Sequence, residues 1–106
     1  MPSGKLNLKY SPDAQNDLWK IGYFIVHSGG YLESAHDVIS SIRQDIKRLK
    51  EYPELGTELK KRIDFETDYR MLISGNYNVF YRRMHNTIYV IRIIKGSQDW
   101  LKILFA

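Results

Sequence analysis

The sequence predicts an α+β fold in which an N-terminal strand and an antiparallel helical hairpin pack on an antiparallel sheet, with a short C-terminal helix at the end. Three observations predict it. Val, Ile, Tyr and Phe crowd into three runs, Tyr69 to Ile73, Tyr77 to Met84 and Ile88 to Ile94, with turn formers Ser74-Gly75-Asn76 and His85-Asn86 between them. Two earlier stretches repeat apolar residues at helical spacing, separated by Ser28-Gly29-Gly30. At 106 residues and 43% hydrophobic content, one domain over residues 1–106 can bury a core without staples.

In chain order, Leu6, Leu8 and Tyr10 alternate with polar residues, which predicts a strand over Lys5 to Tyr10 with one buried face. Ser11-Pro12-Asp13 then supplies a capping hydroxyl, a proline where no donor is missed, and an acid at the positive end of a helix dipole. Ala14, Leu18, Ile21 and Ile25 form the stripe of this first helix, and Trp19, Tyr23 and Phe24 are expected to widen it. After the glycines, Ala35, Val38, Ile39, Ile42, Ile46 and Leu49 keep the rhythm of a second helix that Pro53 ends. So short a break between two amphipathic helices forces an antiparallel hairpin. Tyr52 to Asp68 shows no period, and a connection that long either wraps a sheet edge or moves. It contains the basic cluster Lys60-Lys61-Arg62.

In the three later strands neither face is purely polar, so both faces of the sheet are expected to be covered, and the third strand, apolar on both sides except for Arg92 and Lys95, reads as the central one. Ser97 is placed to cap a last helix, with Asp99 in its first turn and Trp100, Leu101, Leu104 and Phe105 on its apolar side.

There is no cysteine, which excludes disulfides and fits a reducing compartment. The opening Met1-Pro2-Ser3-Gly4-Lys5 lacks the apolar segment of a secretion signal, and no run approaches the roughly 18 apolar residues of a membrane span. A soluble cytoplasmic protein is the expectation. The net charge is +4 and the isoelectric point about 9.3. Residues 1–68 hold ten Lys/Arg against eleven Asp/Glu, whereas residues 69–106 hold six against one. The surplus cations therefore sit on the sheet and tail, a field that attracts nucleic acid or an acidic protein segment.

The stretches SPDAQNDLWKIGYFI, LKEYPELG, YRMLISGNYNVFYR and IRIIKGSQD, in this order, resemble the RelE/ParE superfamily of toxins from bacterial type II toxin-antitoxin modules, nearest to the ParE-like branch. The resemblance implies a growth-inhibiting, plasmid-stabilising toxin neutralised by a cognate antitoxin in a hetero-oligomer. It implies no cofactor, metal or membrane. Its target would be DNA gyrase, as in ParE-like members, or messenger RNA on the ribosome, as in RelE-like ones. A third possibility is a degenerate member retained for antitoxin binding or operator regulation.

Cleaving RNA without a metal needs an acid, a base and cations around the phosphorane. By the resemblance, Arg70 stands where relatives carry a lysine, Leu72 replaces a second lysine, and Asn78 and Gln98 replace arginines. Phe105 lies near the place of a terminal tyrosine or histidine, and Lys95 departs from the histidine or tyrosine common before its glycine. The nuclease alternative would rest on Arg70, Arg82, Lys95 and His85. The binding alternative, which is preferred, assigns target or antitoxin contacts to Arg70, Asn78, Arg82, Arg92, Lys95 and Trp100. Read from the residues alone, Arg82 and Arg92 either form that cationic patch or pair with Asp99 or a loop acid. His85 sits at a predicted turn, His27 and His36 on helices, and Tyr77 and Tyr81 suit a core with hydroxyls at its edge.

Overall fold

A computed structural model describes residues 5–106; the polar opening at residues 1–4 lies outside them. The elements are β1 (Asn7–Tyr10), α1 (Pro12–His27), α2 (Leu32–Lys47), β2 (Thr57–Glu58), β3 (Arg70–Ser74), β4 (Tyr77–Met84), β5 (Thr87–Lys95) and α3 (Trp100–Phe105), with 3-10 turns at Arg48–Lys50 and Leu59–Lys61. The sheet order is β1-β5-β4-β3-β2. β3, β4 and β5 form the expected antiparallel meander, their ends within one residue of the sequence reading.

Two additions alter the sheet. β1 joins parallel to β5, with Asn7 opposite Thr87 and Tyr10 opposite Val90, because the helical hairpin between them carries the chain over one face. Thr57 and Glu58 pair antiparallel with Met71 and Arg70. Two residues are too few to show a period, and their pairing moves the centre of the sheet from β5 to β4.

Ser11 fastens α1 to the sheet. Its hydroxyl accepts from Ala14 N–H at 2.9 Å and donates to the Ile91 carbonyl at 2.7 Å, and its own N–H reaches Val90 O at 2.9 Å. That second acceptor is available because the β4–β5 register pairs Tyr81 with Val90 and Phe80 with Arg92, leaving Ile91 as a β-bulge. α2 is tied to β3 by the Ser74 hydroxyl, which donates to the Asp45 carboxylate at 2.6 Å.

Both faces of the sheet are covered. The hairpin side buries Leu18, Ile42, Ile46, Val79, Tyr81 and Ile88, among others. On the opposite side, Leu59, Met71, Phe80 and Ile94 pack under Ile63, Trp100 and Ile103. The long connection wraps the sheet edge. Tyr81, fully buried, donates its hydroxyl to Pro53 O at 2.8 Å and accepts from Gly56 N–H at 2.9 Å. Burial pushes the phenol above its ordinary pKa and keeps it a neutral donor. A Cβ on Gly56 would lie 2.8 Å from Met71 O and from the Tyr81 ring, so no larger residue fits.

Two expectations fail. Trp19, Tyr23 and Phe24 do not widen the buried stripe of α1; they are 64%, 50% and 65% exposed. Apolar character suggested the core, but the 3.6-residue period puts Ala14, Asp17, Leu18 and Ile21 against the sheet and these aromatics away from it. α3 is capped not by Ser97 but by the Asp99 carboxylate, which accepts from Lys102 N–H at 3.3 Å, so the helix starts at Trp100.

Tyr81→Phe keeps the ring but strands a buried Gly56 N–H and a Pro53 carbonyl. It should lower unfolding stability in urea by about 1–3 kcal/mol, mostly by loosening residues 53–58.

Candidate functional site

β4 begins and β5 ends at the same edge of the sheet, Tyr77 opposite Lys95 and Asn78 opposite Ile94. Past that edge the chain turns through Gly96 and Ser97 into α3, and the Gly75-Asn76 turn of the β3–β4 hairpin lies alongside, its Asn76 carbonyl accepting from Gly96 N–H at 2.8 Å. Between them opens a groove of about 470 Å³, walled by Arg62, Met71, Ile73, Asn78, Lys95 and Trp100. Met71 and Ile73 share one face of β3 by strand alternation. Trp100 is held by its packing on Phe80, ring centroids 5.3 Å apart. Arg62 arrives from the connection because Leu59, three residues earlier, is anchored in the second core.

The lining of this groove brings cations, an amide and apolar surface together. Arg62 and Lys95 form no ion pair among the described residues. Asn78 is 8% exposed, yet its amide has no hydrogen-bond partner among those residues. Ile73, at 63% exposure, presents apolar surface beside the cations. A second groove of about 470 Å³ shares Lys95 and Ser97 with the first and runs toward α1, past Lys20, Phe24, Tyr77, Arg92, Gln98 and Ile103.

The structure brings three of the sequence-derived positions into the first groove, Asn78, Lys95 and Trp100, and adds Arg62 from the basic cluster. The three strand arginines singled out by the sequence, Arg70, Arg82 and Arg92, lie elsewhere, each beside a carboxylate. Arg70 donates to Gly56 O at 2.7 Å and to Glu58 at 3.5 Å, clipping β2 and the connection onto β3. Arg82 meets Asp68 at 2.7 and 3.1 Å on the exposed flank. Arg92 makes a two-pronged contact with Asp17 of α1, at 2.8 and 2.9 Å. Hydrogen bonding to Asp17 holds the Arg92 guanidinium more firmly charged than usual, against the opposing effect of burial. The Arg92 partner is thus a helix acid, whereas Arg82 takes a loop acid; Asp99 pairs with neither.

The four residues of the nuclease alternative do not converge. His85 occupies the β4–β5 turn at φ 55°, exposed, its carbonyl accepting from Arg83 Nε at 3.0 Å. Lys95 is at the other end of the nine-residue β5, roughly 25 Å away at strand rise. His27 stacks on Tyr23 with centroids 3.8 Å apart, and His36 stands exposed beside Asp37. Tyr77 is half-buried on the hairpin face, and burial raises its pKa. Asp17 and Lys20 went unassigned in the sequence reading, and Phe24 was placed on the buried stripe of the first helix. Position 17 falls on the buried stripe of α1, and an acid there was the available signal for a buried cationic partner.

Residues 8–100 match the sequence model of the family described as ParE toxin of type II toxin-antitoxin system, parDE. No curated protein matches. Among solved structures, the chain is similar to one from the chromosomal ParDE toxin-antitoxin system of P. aeruginosa, with a TM-score of 0.71, 21% identity, and coverage of 90% of this chain and 100% of that one. It is also similar to a chain of the RelBE2 toxin-antitoxin complex of Mycobacterium tuberculosis, with a TM-score of 0.64, 15% identity, and coverage of 92% and 98%.

The arginine contacts differ in depth and should differ in energetic weight. Arg82→Ala, at an exposed pair, should cost under about 1 kcal/mol. Arg70→Ala removes a charge-assisted bond to a backbone carbonyl and should cost about 1.5–3 kcal/mol. Paired urea titrations check the order, and equal losses would contradict it.

Proposed function

This chain belongs to the ParE toxin family of type II toxin-antitoxin systems, and from that premise we propose that it arrests growth by binding a macromolecular target of the gyrase type, and that a cognate antitoxin neutralises it. The observation that carries the reading is the lining of the first groove. Among the described residues it combines two cations without ion pairs, the solvent-reaching amide of Asn78 without a hydrogen-bond partner, and exposed apolar surface, but no imidazole, carboxyl or phenol. Such a surface recognises an anionic, partly apolar segment of a protein or protein–DNA complex.

Strand scission of RNA would require a proton acceptor and a proton donor on opposite sides of one phosphate. Arg70, Arg82 and His85, the groups assigned to that chemistry with Lys95, lie outside the groove, and the two arginines are engaged with Glu58 and Asp68. In the binding reading Lys95 and Arg62 attract the target's acidic groups, Asn78 fixes a polar group at the floor, and Ile73 with Trp100 supplies the apolar contact. Binding alone accounts for inhibition when the occupied target is held in one step of its cycle. Both structural neighbours come from toxin-antitoxin systems, which supports an antitoxin encoded beside this chain and a stable hetero-oligomer with it.

Inducing the chain alone in a bacterial host tests the reading directly. Gyrase-dependent DNA breaks should accumulate while mapped RNA 5′ ends stay unchanged. Lys95→Glu combined with Arg62→Glu should weaken growth arrest at least tenfold with the fold retained. Codon-specific RNA cuts without DNA breaks would overturn it.

A further inference from the structure

β3 outruns its outer neighbour. β2 pairs only with Arg70 and Met71, while β3 continues through Leu72 and Ile73 to Ser74, with β4 on one side and no strand on the other. From Gly56 the connection leaves this lane, drawn to the hairpin side by its contacts with the Tyr81 hydroxyl. Two contacts fix the direction of the free backbone groups. The Tyr69 carbonyl accepts from Leu59 N–H at 3.0 Å, and a Cβ on Gly56 would lie 2.8 Å from the Met71 carbonyl, so alternate residues from Tyr69 onward turn their N–H and C=O away from β4. Ile73 is the next in that series. Its donor and acceptor point outward, beside the first groove.

Elsewhere the open backbone of the sheet is closed or guarded. Beyond the end of β1, Ile93 N–H is taken by Asp17 at 2.9 Å, and β1 itself is four residues long, carries exposed Lys9 and runs into Ser11-Pro12. Leu72-Ile73-Ser74 has no charge, proline or bulge, and Ile73 is 63% exposed. Opposite Ile73 on β4, Asn78 lines the same groove with an amide that has no hydrogen-bond partner among the described residues. An unguarded edge beside such a groove is a template for one more strand.

We propose that this stretch is a strand-addition site, where an extended segment of the target protein pairs with Ile73 and sets an acidic side chain between Arg62 and Lys95. The inference rests on the reading of the first groove as the target site and names what that site holds. Hydrogen-bond geometry selects a peptide. One residue of an antiparallel segment exchanges both bonds with Ile73, whereas the phosphates of a nucleic acid carry no donor for the Ile73 carbonyl. Residues directly opposite share a face, so the side chain of that residue enters the groove, whose lining holds two cations and no carboxyl. It is therefore Asp or Glu. A second copy of this chain is unsuited, because edge-to-edge pairing about Ile73 would bring two sets of Arg62 and Lys95 together. The Asn78 amide, which both donates and accepts, is left for a neighbouring polar group of the segment.

A nuclear magnetic resonance titration of the isotope-labelled full chain tests it, the probe being a capped hexapeptide of alternating Thr and Val with one Glu. Saturable shifts of the Ile73 and Asn78 amides in the millimolar range are expected, with slower hydrogen exchange at Ile73 N–H. Replacing the Glu by Lys, or methylating its backbone nitrogen, should weaken binding at least tenfold. Equal binding of the methylated peptide, no shift with the Glu peptide, or a single-stranded oligonucleotide that moves these resonances where the peptide does not, overturns the proposal. In cells, Ile73→Pro removes the outward donor and none that faces β4, a change edge strands accept, and should weaken growth arrest at least tenfold with circular dichroism unchanged. A folded Ile73→Pro chain that still arrests growth but no longer binds the protein encoded beside it gives the site to that partner and overturns the proposal. Growth arrest without gyrase-dependent breaks would refute the proposed target and leave the peptide shifts in place, so the two readings fail separately.

Discussion

A single carboxylate, Asp17, fixes how the two layers of this molecule meet. It accepts from Arg92 Nε at 2.8 Å, from the second guanidinium nitrogen at 2.9 Å and from Ile93 N–H at 2.9 Å. β1 ends opposite Val90, so beyond that point β5 has no neighbouring strand on that side and its backbone donor needs another partner. Asp17 is that partner, 8% exposed on the buried stripe of α1. An acid so placed would be costly if unpaired; with three donors it sets the rotation and height of α1 over the sheet. The Ile91 bulge belongs to the same arrangement, because it directs a carbonyl to Ser11 at the start of the helix.

This arrangement redistributes the charge available to partners. With Arg92 occupied by Asp17, Arg70 by Glu58 and Arg82 by Asp68, these three strand arginines hold layers and loops together. Among the described residues, Arg62 and Lys95, which line the first groove, form no ion pair. A basic sheet half thus presents a narrower feature than its composition implies, two cations flanking an apolar groove. In the proposed reading, so focused a site favours recognition of one segment over diffuse attraction to polyanions. Meanwhile the rotation that buries Ala14 and Asp17 necessarily turns Trp19 and Tyr23 outward.

The regular elements were legible because each carries a local signal. Ser11-Pro12-Asp13 starts α1, Ser28-Gly29-Gly30 stops it, and β-branched and aromatic runs separated by turn residues mark the meander. Covering of both faces could also be read, from the absence of a polar side. What could not be read depends on distant pairing. Thr57 and Glu58 are a strand only because Met71 and Arg70 lie beside them. The partner of Arg92 is 75 positions away in sequence, and no periodicity connects the two. The outward aromatics of α1 were misassigned for a different reason: hydropathy alone does not distinguish a core residue from an exposed one. Of the groove, Asn78, Lys95 and Trp100 were singled out beforehand; the contribution of Arg62 required knowing that the connection folds back over the sheet.

The dependence of the fold on Asp17 can be measured in one experiment, a double-mutant cycle between Asp17→Ala and Arg92→Ala followed by urea unfolding. The two side chains, joined by two hydrogen bonds with one partner almost buried, should show a coupling of about 2–3 kcal/mol, near the upper range for residues in direct contact. Asp17→Ala alone should cost more than Arg92→Ala alone, since it also abandons the Ile93 N–H. A coupling below about 0.5 kcal/mol, or a larger loss from Arg92→Ala, would contradict the account.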